Sequence, residues 1–216
     1  MKKNEAEVRN VLGLVERRAL DEAQNDSNVL PIRGVPIVFD SPTDIGGYWE
    51  ETIAPEAIDD ETLRDVRLLI NHDMNGIPLA RSRRNTPGST MRLVRSATQV
   101  DMDADLDARN PKALEVNSAI DRQDVSGMSF AFYVDKDEWR DLDTDYPKRR
   151  ILHISEIREI SIVTYPAYEQ TSISTRSLES GKESLAEARR AMEIAKERAA
   201  KIAELNNKLD SMKSEV

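Results

Sequence analysis

The run Val100-Asp101-Met102-Asp103-Ala104-Asp105-Leu106-Asp107 alternates apolar and acidic residues without a slip. Side chains along a strand point alternately to opposite faces, so this pattern fits a strand with one wet and one buried face and fits no helix. A shift of one residue would expose Val100, Met102, Ala104 and Leu106 together and bury the carboxylates, so the run also fixes its own register. A half-buried antiparallel strand needs a second layer over its apolar side. The aspartates stand in a line and do not converge, so they read as a solvated face, not as a calcium site.

The rest of the chain from Val29 to Ser177 has a compatible texture. Short runs of Val, Ile, Phe and Tyr are punctuated by Gly, Pro and Asp, and all nine prolines fall in this stretch. This predicts a mainly β domain over 29–178, flanked by a polar N-terminal arm (1–28) and a C-terminal segment (179–216). Val8, Val11, Leu12 and Val15 recur at helical spacing in the arm, which predicts a partly helical, mobile element ended by the Asn25-Asp26-Ser27-Asn28 cluster. Val66, Leu68, Ile70 and His72 are expected on one face of a strand. Asn110-Pro111 has the chemistry of an N-cap and first helical residue, with Ala113, Val116 and Ile120 on one stripe. Met128–Val134 and Ile151–Thr164 are expected as strands joined by a charged loop over Asp135–Arg150. From Glu183 onward, Leu185, Ala188, Met192, Ala195, Ala199, Ile202 and Leu209 form an apolar helical seam that also contains Asn206. A seam this rich in Ala and interrupted by Asn is weak as a homodimeric coiled coil, although self-association stays open. It predicts a long amphipathic helix packed on the β domain or on a partner.

Charge and composition remove several classes of function. Lys and Arg number 31 and Asp and Glu 40, a net charge of −9 that repels phosphate backbones and argues against nucleic acid. Residues 179–216 hold eight acids and eight bases, so the whole excess lies in 1–178. With no cysteine there is no disulfide framework, thiolate nucleophile or Cys-ligated zinc. The two histidines, His72 and His153, are too few for a multi-histidine metal site. No apolar run reaches signal-peptide or membrane-spanning length, so the expectation is a soluble intracellular protein with no membrane partner.

Three residues of the β domain could together support nucleophilic catalysis. Ser129 lies in Gly127-Met128-Ser129-Phe130-Ala131-Phe132, on the face opposite the bulky Met128, Phe130 and Phe132 and beside the small Ala131. A serine nucleophile needs a base, usually a neutral imidazole, and His72 in Asn71-His72-Asp73 can be one. The imidazolium formed then needs a carboxylate to hold its tautomer and offset its charge. Glu159, in the otherwise apolar strand Ile157–Thr164, would need such a partner if it is buried. Spacing alone does not bring the three together.

Five segments in order extend this reading: Gly34-Val-Pro-Ile-Val-Phe39, Ile53-Ala-Pro-Glu-Ala57, Asn71-His72-Asp73, Gly127-Met-Ser129-Phe-Ala-Phe132 and Glu159-Ile-Ser-Ile-Val-Thr-Tyr-Pro-Ala167. Over roughly residues 30–175 the chain resembles the prohead (procapsid maturation) serine proteases of tailed phages. It departs from their pattern at Glu56, where glycine is more usual. The resemblance implies a fold like that of the herpesvirus assembly protease, assemblin. The expected fold class is therefore mainly β with helices (α+β), a small herpesvirus-protease-like β-barrel plus the long C-terminal helix. It further implies His72 as base, Ser129 as nucleophile and Glu159 as the third member. Glu156, His153 (the herpesvirus enzymes use a second histidine here) and Asp73 remain open for that third role, and Ser126 is the substitute for Ser129.

The implied function is a serine endopeptidase of phage procapsid maturation. Its substrates would be the major capsid protein precursor, its scaffold segment and the protease itself, inside the assembling procapsid in the host cytoplasm. No metal or cofactor is expected. The C-terminal helix would dock capsid or scaffold subunits or be trimmed by self-cleavage. The competing expectation is a non-enzymatic capsid assembly or scaffolding protein, and hydrolysis of a small ester or amide ranks behind both.

Overall fold

The computed structural model describes residues 6–11, 15–19, 28–164 and 175–214. In chain order the elements are β1 (Glu7–Val11), β2 (Val15–Arg17), β3 (Val29–Val38), β4 (Thr43–Asp44), β5 (Glu50–Ile53), β6 (Asp65–Ile70), β7 (Ala80–Arg83), β8 (Met91–Arg95), β9 (Gln99–Asp107), α1 (Pro111–Asp121), β10 (Gly127–Arg140), β11 (Lys148–Val163) and α2 (Thr175–Ser214). A short 3-10 turn, Pro55–Ala57, follows β5.

The alternating run forms β9 as expected, with Val100, Met102, Ala104 and Leu106 buried. β9 lies inside a four-stranded sheet of order β2-β3-β9-β8. The second sheet has seven strands: β1-β10-β11-β5-β4, with β6 on β11 and β7 on β6. Its spine is the β10–β11 hairpin, and β11 carries parallel partners along both ends, β5 at Lys148–Ile151 and β6 at Glu159–Ile162. The core lies between the sheets. Phe130 and Phe132 of β10, stacked 4.7 Å apart, meet the buried faces of β3 and β9, and Ala113, Val116 and Ile120 of α1 join them. Burying an aromatic side chain of this size contributes about 1.5–3 kcal/mol. The Asn110 side chain caps α1 by accepting from the Lys112 N–H at 3.1 Å, as the sequence predicts.

The α+β class is observed, whereas a closed barrel is not seen among the described residues. Single backbone bonds stitch the sheets where their edges meet: Val15 N–H to Ser126 O (3.1 Å), Thr90 N–H to Arg81 O (3.0 Å) and Asp40 N–H to Ile53 O (2.8 Å). β2 and β7 are three and four residues long, too short to extend these points into ladders.

Several local expectations are corrected. The part of the arm expected as helix forms strands β1 and β2 instead. β1 satisfies the edge of β10, and its Glu7 and Arg9 turn inward to buried charged partners, which a helix over the same residues could not do. The charged loop expected over Asp135–Arg150 is mostly hairpin. Opposite charges face each other across it, Glu138 opposite Arg150 and Asp137 bonded to Arg149 at 2.7 Å, so charge here supports pairing. β6 ends at Ile70, and Asn71 and His72 follow with φ of 49° and 59°, so the strand's alternation stops short of the histidine.

α2 begins at Thr175, ahead of Glu183, and runs through Gly181. A Cβ at Gly181 would stand 2.4 Å from the Trp49 ring, so this glycine permits a close approach and does not break the helix. Trp139 Nε1 donates to Ser184 Oγ (2.9 Å) and Arg189 donates to the Leu142 and Thr144 carbonyls, which seats the first turns of α2 on the β domain. Beyond them Ile194, Ile202 and Leu205 are exposed. Leu12, Asn25, Asp26, Ser27 and Tyr165–Ala167 lie outside the described residues, and so does the side chain of Leu209.

Candidate active site

Strand register builds the site. On β10 and β11, Ser129 pairs with Ser161 and Ala131 with Glu159, and cross-strand partners project to the same side. Phe130 and its partner Ile160 point the other way, into the core. One face of the hairpin therefore carries two serines, a glutamate and an alanine, all buried. The parallel partner β6 delivers His72 to this face. Asn71 N–H bonds the Ile162 carbonyl (3.0 Å), and the Asn71 amide and Thr164 bond each other through Asn71 Nδ2 to Thr164 Oγ1 and Thr164 N–H to Asn71 Oδ1, both 3.0 Å. The two left-handed residues then turn the imidazole back over β11.

His72 Nδ1 lies 2.6 Å from Glu159 Oε1. Glu159 is fully buried and the His72 side chain is 28% exposed, so the carboxylate is dry while the ring reaches solvent. The second carboxylate oxygen, Oε2, accepts from Ser161 Oγ at 2.5 Å, and the same Ser161 oxygen accepts the His72 backbone N–H at 3.0 Å. With Nδ1 engaged by Glu159, the Nε2 edge of the ring is the one left for chemistry. Ser129 is fully buried, and its hydroxyl donates to the Arg9 carbonyl of β1 at 2.8 Å, not to the His72 ring.

The other candidates for the third role stand elsewhere. Glu156 is exposed opposite Tyr133. His153 Nδ1 pairs with Asp135 at 2.6 Å on an exposed part of the hairpin. Asp73 is exposed in the turn after His72, where its side chain accepts the Asn75 N–H at 3.1 Å. Sequence reasoning missed Ser161, although its place two residues after Glu159 on one strand put it on the same face. Nothing in the sequence marked Arg9.

A second polar cluster fills the end of the core on the opposite face. Arg9 donates to Glu51 from Nε (2.6 Å) and Nη2 (2.9 Å) and to Glu7 (2.6 Å). Arg149 bonds Glu7 (2.8 and 3.0 Å), Glu51 (3.0 Å) and Asp137 (2.7 Å). Burial would raise the Glu51 carboxyl, but the Arg9 and Arg149 charges outweigh it and bring it from 4.5 down to about 2. Burial would lower both guanidinium groups, and Glu51 and Glu7 outweigh it and raise them. Among the described residues no group of carboxylates and imidazoles is arranged to hold a metal ion, and no helix is long and apolar enough to cross a membrane.

A dry carboxylate behind an imidazole, on the sheet face that also carries a small-flanked strand serine, supplies the kinds of group that nucleophilic serine chemistry uses. A family model for the caudovirus prohead serine protease matches residues 15–184, and the chain belongs to that family of phage capsid-maturation proteases. β1 precedes the matched region, and α2 beyond residue 184 follows it. No curated protein and no solved structure matches the chain.

Proposed function

We propose that this chain is the endopeptidase of procapsid maturation, with Ser129 as nucleophile, His72 as general base and Glu159 as the group that orients His72. Ser129 Oγ attacks the scissile carbonyl carbon while His72 Nε2 takes the hydroxyl proton. The proton passes to the leaving amine as the C–N bond breaks, giving an acyl-enzyme. Water, activated by the same imidazole, hydrolyses that ester and regenerates Ser129. Glu159 holds Nδ1–H and offsets the imidazolium charge. Ser129 must first turn from the Arg9 carbonyl. The substrates on this reading are the major capsid protein precursor, its scaffold segment and the protease itself, cleaved within the procapsid in the host cytoplasm. The exposed outer length of α2 suits it to docking scaffold or capsid subunits.

The observation that carries the reading is the 2.6 Å contact between His72 Nδ1 and the buried Glu159, on the face that also bears Ser129. Co-expression of the capsid precursor with wild type and with Ser129→Ala tests it: processed bands are expected with wild type only. Processing that persists in Ser129→Ala overturns the nucleophile assignment and makes Ser126 the next residue to test. No processing by wild type inside assembled particles favours a scaffolding protein. For docking, a chain ending after Arg190 keeps the seated turns of α2, and it is expected to lose capsid association.

A further inference from the structure

We propose that Ser161 is a positioning residue that clamps the base and its carboxylate into one unit, an inference that rests on the Ser129–His72–Glu159 reading. Its hydroxyl makes two bonds at once, donating to Glu159 Oε2 at 2.5 Å and accepting the His72 N–H at 3.0 Å. Both are needed where they stand. Glu159 is fully buried, so water cannot satisfy Oε2, and a buried carboxylate oxygen without a donor is strongly destabilising. His72 has a φ of 59°, a left-handed conformation that a non-glycine residue holds only when its surroundings fix it. One hydroxyl thus fixes the backbone that carries the imidazole and the carboxylate that selects its tautomer.

Position explains why the residue is a serine. Ser161 is the cross-strand partner of Ser129 and the parallel partner of Leu69 on β6, at the crossing of the three strands that hold the site. Ser161 is itself fully buried. Alanine at this position would supply neither bond. Because Ser161 donates to Glu159 and does not reach the reacting atoms, its effect passes through His72.

The test compares full-length wild type, Ser161→Ala and Ser161→Thr by steady-state cleavage of a peptide substrate and by 15N NMR of the His72 ring. Ser161→Ala is expected to lower kcat by roughly 100-fold, the scale of a small misplacement of a catalytic group, with KM within about twofold. Its ring spectrum is expected to change from one Nδ1–H tautomer to a mixture. Ser161→Thr keeps the hydroxyl and is expected to restore the single tautomer and most of kcat. Wild-type kcat and an unchanged tautomer in Ser161→Ala, with an unaltered melting profile, overturn the proposal. The ring spectrum needs no proteolysis, so it still judges Ser161 if Ser129→Ala proves active and the catalytic reading fails.

Independently of Ser161, we infer that β1 is a latch that keeps Ser129 from substrate until β1 is displaced, again on the reading that Ser129 is the nucleophile. The strand lies along β10 with Asn10 opposite Ser129, and its Arg9 carbonyl accepts the hydrogen bond of the Ser129 hydroxyl that the reaction needs to turn toward His72. Its hold on the domain is strong and specific: the Arg9 guanidinium and the Glu7 carboxylate are locked into the buried cluster with Glu51 and Arg149. Ser180 of α2 donates to Glu7 Oε1 at 3.2 Å, so the C-terminal helix also touches the latch.

Val8 and Ala131 are cross-strand partners, and the chain has no native cysteine, so Val8→Cys with Ala131→Cys gives one reversible lock. Oxidised and reduced forms of this double variant are treated with a fluorophosphonate, and the labelled residue is identified by mass spectrometry. Labelling of Ser129 at least tenfold slower in the oxidised form is expected. Equal rates overturn the latch. Labelling at a serine other than Ser129 overturns the nucleophile assignment, and the latch with it.

Discussion

Two polar clusters occupy opposite faces of the same sheet, and they are built on different terms. The outer one, Ser129, Ser161, Glu159 and His72, holds one carboxylate and no arginine, and its imidazole reaches solvent. The inner one, Glu7, Arg9, Glu51 and Arg149, is buried throughout and has two charges of each sign, joined by short bonds. A buried quartet with every charge matched has little to offer a substrate and much to lose if one member is removed. The outer set is sparse, and on the proposed reading its partly exposed histidine keeps Nε2 for chemistry. The difference teaches that burial and ion pairing alone do not mark an active site. On the proposed reading, what sets the outer cluster apart is an imidazole bonded through Nδ1 and partly exposed to solvent.

The sharpest way to break the comparison is to exchange the consequences. Ser129→Ala is expected to reduce peptide cleavage by at least about 10⁴-fold, while its unfolding free energy from urea titration changes by no more than the value of one hydrogen bond, about 0.5–1.5 kcal/mol. A large loss of stability with activity retained would make the outer face structural. Arg149→Met is expected to act in the opposite sense. It leaves Glu7 and Glu51 short of a buried counter-charge and is expected to lower unfolding free energy by about 3–5 kcal/mol in urea titration.

The same quartet sets an acid limit. The folded Glu51 carboxyl, at about 2, lies below its ordinary 4.5, so its stabilisation is complete above about pH 4.5 and is lost as pH falls toward 2. Urea midpoints measured between pH 6 and 2.5 are expected to fall across that window, and Glu51→Gln is expected to flatten that fall. Smaller again is Gly181→Ala, whose added methyl meets the buried Trp49 ring and is expected to cost about 1–3 kcal/mol with a change in tryptophan emission. The smallest effect belongs to His153→Ala. Its partner Asp135 and the ring are both exposed, so stability is expected to move by less than about 0.5 kcal/mol and cleavage not at all. A large loss of cleavage there would return the second histidine to the candidate site.

Legibility in the sequence followed how local the cause was. β9 and α1 were readable because their patterns are self-contained, an unbroken alternation in one and a cap, a proline and an apolar stripe in the other. The outer face was readable in part, since Ser129 opposite bulky neighbours and Glu159 in an apolar strand each stood out. The role of Ser161 depends on register between β10, β11 and β6, which one chain segment does not encode. β1 is misread because Val8, Val11, Leu12 and Val15 fall at helical spacing, while the partners that draw Glu7 and Arg9 inward lie far along the chain. The β10–β11 hairpin was cut short for the same reason, its charges being matched across strands and not along them. At Gly181 the local rule for glycine in a helix was overridden by a tryptophan 132 positions away.

The attachment of β1 also has a timetable. Arg9 meets Glu51 across 42 positions, Ser129 meets Arg9 across 120, and Arg149 meets Glu7 across 142. Residues made first thus wait for partners made much later, an interval of roughly 2–30 s at ribosomal rates of about 5–20 residues per second. Contacts of such long range are also the slowest to close once the chain is complete. The edge of β10 that carries Ser129 is therefore expected to be covered late, with the first segment to be synthesised among the last to settle.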